Sequence, residues 1–114
     1  MDELVAWLGQ QLDTDAAENA DPYAATAWHA RGCESLPDVL YPDRELGACD
    51  CGAPARVLRE VDAKRQVLAE HERYAAERRR MMGGWDPQSD DSPILYALAA
   101  VYSDRPGFRE EWRP

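Results

Sequence analysis

No stretch of this 114-residue chain approaches the roughly 18 consecutive apolar residues of a membrane-spanning helix, so no membrane contact is expected. The opening segment, MDELVAWLGQQLD, lacks a basic n-region and carries acids from position 2, so it reads as a helix and not as a signal peptide. Positive charge is scarce: 13 Lys and Arg stand against 22 Asp and Glu, for a formal net charge of −9. Neutralising phosphates needs a cationic surface, so direct nucleic-acid binding is not expected. Cysteine is also sparse, and three is an odd count that cannot pair off internally. With no export signal the chain is expected to be cytoplasmic, where thiols ligate metal or are buried free. No nucleophile signature surrounds any cysteine. The acidic pairs Asp90-Asp91 and Glu110-Glu111 are adjacent residues that do not face each other, so no enzymatic activity is read.

What is present fits one small domain over residues 1–114, mainly α, with 45% hydrophobic residues and three helices. Residues 2–17 form the first helix. Leu4, Leu8 and Leu12 recur every four residues, Val5 and Ala16 widen that face, and Trp7 flanks it. Gly9 weakens the helix unless a neighbour needs its small size. Residues 18–53 are irregular, punctuated by Pro22, Pro37 and Pro42, with residues 23–29 and 39–41 as the two sides of a short hairpin if one forms. A loop of this length is uncommon in a compact domain unless something pins it.

Pro54 opens a long helix over residues 54–80. Val57, Val61, Lys64, Leu68, His71 and Ala75 fall on one strip, which Leu58, Val67 and Tyr74 broaden and at whose edge Lys64 snorkels. Such a helix runs about 40 Å, longer than internal packing needs, so its end is expected to project or to pack on a partner. Gly83 and Gly84 stop it within a linker over residues 81–92. Ser92 as N-cap and Pro93 at the first position open a third helix to residue 102. Its apolar face is Ile94, Leu95, Leu98, Ala99 and Tyr102, extended by Val101. The tail, residues 103–114, turns at Pro106-Gly107 and offers Phe108 and Trp112 as aromatic anchors.

Two segments, PARVLREVDAKRQVLAEHE and YSDRPGFREEWRP, together with the opening amphipathic helix and AATAW ending at Trp28, resemble a small family of actinobacterial and actinobacteriophage proteins. The chain departs from that family in having Thr26-Ala27 before the tryptophan instead of Gly-Pro, and CDCGA instead of a His-rich lead into the long helix. The likeness covers both ends and the central helix. The family has no established activity, so it implies a lineage, and with it a phage-linked accessory role such as modulating a host factor.

Four residues in the irregular segment, His29, Cys33, Cys49 and Cys51, match the Cys₃His set of a structural zinc site. His71, on the inward strip of the long helix, is a substitute for His29. The reading requires the chain to turn at Asp50 so that both sulfurs of Cys-x-Cys reach one ion, with Gly52 letting backbone N–H groups approach them. The alternative is three free thiols. Arg78, Arg79 and Arg80 sit at a helix C-terminus, where the dipole favours cations. With Tyr74, Trp85 and Trp112 they are the candidate partner contacts. The expected function is a non-enzymatic protein-interaction module, which can also pair with a second copy through the long helix. An acidic DNA mimic that inhibits a nucleic-acid-binding protein is the alternative.

Overall fold

The leucine spacing at the start of the chain produces a helix, α1 (Asp2–Asn19), with Leu4, Leu8 and Leu12 buried as expected and Trp7 buried beside them. The computed structural model describes residues 2–20, 28–38, 40–84 and 92–114. Two further helices follow, α2 (Ala53–Met81) and α3 (Pro93–Ala100), and then a short 3₁₀ turn at Glu110–Trp112. There is no strand among the described residues, and no helix is long and apolar enough to cross a membrane. Most of the hairpin proposed for residues 23–29 and 39–41, and Trp85 with the rest of residues 85–91, lie outside the described residues.

The chain divides into two compact units, residues 1–12 with 64–114, and residues 13–63; α1 and α2 each contribute to both. In the first unit aromatic rings from Tyr102 and from the tail meet Trp7. The Trp112, Phe108 and Tyr102 rings lie 5.3, 5.9 and 6.4 Å from it, the last edge-on. Such pairs contribute about 0.5–1.5 kcal/mol each beyond their buried area. Trp7 Nε1 donates to the Pro106 carbonyl at 3.0 Å, so the indole keeps its hydrogen bond when buried. Gly107 makes this approach feasible: its φ is +88°, and a Cβ there would stand 2.7 Å from Trp7 Nε1. Arginines cover the outer ring faces, Arg105 over Tyr102, Arg109 over Trp112 and Arg113 over Phe108.

Ser92 caps α3 by accepting from Leu95 N–H, with Pro93 at the helix start. Leu95, Ala99 and Tyr102 are buried. Ile94 and Val101 are exposed, against expectation, because each stands about 100° around the helical path from its buried neighbour, Leu95 or Tyr102. Lys64 is half-buried, and its Nζ donates to the hydroxyl of the buried Tyr102 at 3.0 Å. On α2, Val61 and Leu68 are buried, but Val67 and Tyr74, expected to broaden that strip, are exposed. Each stands about 100–120° around the helix from Leu68, beyond the buried arc.

In the second unit, α1 ends with Asn19 Nδ2 donating to the Asp15 carbonyl at 2.8 Å, and Trp28 Nε1 donates to the Glu18 carboxylate at 2.8 Å. Gly52, at φ +71°, precedes α2, and its carbonyl accepts from Arg56 N–H at 3.0 Å.

The glycines separate by position. Gly107→Ala should lower the unfolding free energy by about 1–3 kcal/mol through backbone strain and the Trp7 clash. Gly9→Ala, with nothing within 4 Å of its Cβ, should raise it by about 0.5–1 kcal/mol. Urea unfolding followed by tryptophan fluorescence measures both signs.

Candidate metal centre

The irregular segment between α1 and α2 is held by turns and side chains. Cys33 N–H bonds the Ala30 carbonyl at 3.1 Å, and Leu36 N–H bonds the Cys33 carbonyl at 3.0 Å, so Cys33 sits in consecutive tight turns. From the other side, the Asp50 carboxylate accepts the Glu34 N–H at 3.0 Å and draws residues 49–51 against residues 33–35. His29, Cys33, Cys49 and Cys51 thereby converge, with one ligand atom from each lying within 4.8 Å of all the others. The sulfurs of Cys33 and Cys49 are 3.8 Å apart, and those of Cys49 and Cys51 3.7 Å. His29 Nδ1 lies 3.3 Å from Cys51 Sγ and 3.4 Å from Cys49 Sγ. Cys33 is buried and the other three are half-buried.

The expected turn at Asp50 is absent. Residues 45–50 contain no hydrogen-bonded turn, and the chain bends at Cys51, just before Gly52. On extended backbone, side chains two residues apart already share a face, so Cys-x-Cys needs no turn between its cysteines. Asp50 acts as a tether. Its carboxyl is held below the usual range by the Glu34 N–H and by Cys33.

The surroundings favour thiolate at two of the three sulfurs. Burial pushes the Cys33 thiol up. The Ser35 hydroxyl and the backbone N–H groups of Ser35, Cys51 and Asp50 outweigh it and bring the thiol down to about 6. Cys51 is lowered by the backbone N–H groups of Ala53 and Ala30, against burial, with His29 adding to the effect. Cys49 is raised, by burial and by its two sulfur neighbours, despite a backbone hydrogen bond from Gly52. N–H groups aimed at sulfur are what a multiply thiolate-ligated cation requires, because they spread the excess negative charge.

Ser35 is the residue that sequence reading misses. It is 2% exposed, and its Oγ lies 3.2 Å from Cys33 Sγ and 3.3 Å from His29 Nδ1, bridging two members of the group. Its position two residues after Cys33 is the only signal, and a weak one. His71 is not part of the group; its Nδ1 faces Ser92 Oγ at 3.5 Å. Of the candidate partner contacts, Tyr74, Arg79 and Arg80 are exposed on α2, and Arg78 is half-buried with its guanidinium 5.9 Å from the Tyr74 ring centre. Trp112 is corrected: at 7% exposure it is a core residue of the aromatic cluster.

Fold and site together define a small, mainly helical protein with a possible metal-binding Cys₃His group between its first two helices. The sequence model of a family of unknown function, DUF6221, matches residues 1–114, and the chain belongs to that family. No curated protein and no solved structure matches it.

Ser35→Ala should weaken divalent-metal binding about 10-fold, the usual effect of losing a group that orients ligands. Titration of the metal-free chain with cobalt(II), followed through the thiolate-to-cobalt absorption, measures this.

Proposed function

We propose that this chain is a non-enzymatic protein-interaction module whose irregular segment is fastened by one structural zinc ion on His29, Cys33, Cys49 and Cys51. The convergence of the four ligand atoms within 4.8 Å carries the reading. A tetrahedral zinc ion with sulfurs at about 2.3 Å has sulfur–sulfur edges of about 3.8 Å. The Cys33–Cys49 and Cys49–Cys51 sulfur separations, 3.8 and 3.7 Å, agree with that edge. Three thiolates and one imidazole suit zinc far better than magnesium or calcium. Four protein ligands also complete the tetrahedron, whereas catalytic zinc keeps one position for water or substrate. The ion would supply a fixed tetrahedral junction. Cys51, whose Sγ accepts the Ala53 N–H at 3.5 Å, would join that junction to the first turn of α2.

The interaction reading is supported by apolar side chains left in water along α2. Val67, Tyr74 and Met81 are exposed at seven-residue spacing, with Arg79 and Arg80 near the end of the same helix. The likeness to actinobacterial and phage proteins makes an accessory role, modulating a host protein in the cytoplasm, the biological setting we propose.

Metal analysis of chain purified without chelator should find one zinc per chain, and thiol titration should find the three cysteines protected until chelator is added. Chelation should then deprotect the amides of residues 28–52 in hydrogen exchange. No zinc, together with three freely reactive thiols, would sink the metal reading. For the interaction, pull-down from host lysate should recover a defined protein that a Tyr74→Ala chain retains poorly. Recovery of nucleic-acid-binding proteins alone, released by moderate salt, would point to DNA mimicry instead.

A further inference from the structure

Residues 34–47 close into a loop fastened by their own hydrogen bonds. The Glu34 carbonyl accepts Gly47 N–H at 2.9 Å, the Glu34 carboxylate pairs with Arg44 at 2.8 Å, and Arg44 also donates to the Leu36 carbonyl at 2.9 Å. Further turns run from Asp38 to Tyr41 and from Tyr41 to Arg44, and the Asp38 carboxylate accepts Leu40 N–H at 2.9 Å. The ends meet closely, since a Cβ on Gly47 would stand 3.2 Å from the Glu34 Cβ.

This loop nevertheless turns three large apolar side chains to water. Leu40 is 78% exposed, Tyr41 66% and Leu46 43%. Residues 40–44 line an open depression of about 420 Å³. The charge left over on the loop is acidic. Arg44 is taken up by Glu34, while Asp43 and Glu45 are exposed and have no ion-pair partner among the described residues.

The end of α2 has the opposite character. Met81 is 85% exposed, Tyr74 59% and Met82 41%. Arg79 and Arg80 are exposed, again with no side-chain ion pair among the described residues. In a chain of net charge −9, residues 78–80 are the one run of three consecutive cations.

We propose that these two patches dock on each other between copies of this chain. Leu40, Tyr41 and Leu46 of one copy pack on Tyr74, Met81 and Met82 of the next, and Asp43 and Glu45 face Arg79 and Arg80. This names a second copy as a partner for the interaction module proposed above, and it rests on that reading. The contact joins unlike patches, so it differs from a pairing of the long helix with its own copy. A few side chains on each side bury less than the roughly 1,200 Å² of a stable complex, so the association is transient and weakened by salt.

Sedimentation equilibrium of the zinc-loaded full chain, from about 10 μM to about 1 mM, suits weak contacts of this kind. The mean mass should rise with concentration and fall back towards the monomer when salt is raised to about 0.5 M. The double variants Asp43→Arg/Glu45→Arg and Arg79→Glu/Arg80→Glu should each lose at least ten-fold in association, because like charges then face each other. Their equimolar mixture should regain it. Met81→Ser, a change to a side chain already in water, should weaken association several-fold without altering helix content by circular dichroism. A native chain that stays monomeric over the whole range overturns the proposal. So do variants that associate as the native chain does, or a folded mixture no better than its parts. Zinc content is measured on every sample. Association by a chain that binds no zinc would therefore count against the metal reading alone.

Discussion

A segment without helix or strand cannot be ordered by a backbone ladder, so its tie-points must be side chains. Here they are three sulfurs and one imidazole gathered within 4.8 Å, with the Asp50 carboxylate drawing the two cysteine-bearing stretches together. Much else in residues 13–63 depends on that gathering. Cys51 meets the first N–H of α2, Cys33 occupies its consecutive turns, and the loop over residues 34–47 closes on a Glu34 that Asp50 already holds. Backbone N–H groups facing the thiols make the group suited to cation binding, because they stabilise negative sulfur in a part-buried place.

In the other unit the organising constraint is aromatic. Trp7 meets Tyr102 and two rings from the tail, and needs a glycine at 107 so that its N–H can reach the Pro106 carbonyl. The arginines of the tail are then explained one by one. Each covers an aromatic face, and Arg109 and Arg113 also pair with Glu3 and Glu110. The Glu110 carboxyl is held below its usual range by the Arg113 guanidinium beside it, and both groups are exposed, so the pair adds little to stability.

Features governed by short-range rules were legible before any coordinates. The four-residue leucine spacing of α1, Pro54 and Ser92-Pro93 at helix starts, and the glycine stop after Met81 are local consequences of helix geometry. The candidate metal-binding group was legible too, because few residue types bind soft cations and four such residues fell in one loop. Less was legible where direction mattered. Helical spacing put Val67, Tyr74, Ile94 and Val101 on or beside apolar faces, yet all four are exposed. Ser35 could not be found, since a serine reads as surface until its neighbours are known to be thiols.

The sequence by itself therefore determined where the helices begin, which residues are able to ligate a metal, and which aromatics are available to a core. Each of these is set by backbone torsions and side-chain chemistry within a few residues. Only the tertiary structure decided that His29, and not His71, joins the cysteines. It also decided that Trp112 closes on Trp7, that Asp50 tethers without turning, and that Leu40, Tyr41 and Met81 remain in water. Those outcomes depend on distances between residues far apart in the chain, which no local periodicity encodes.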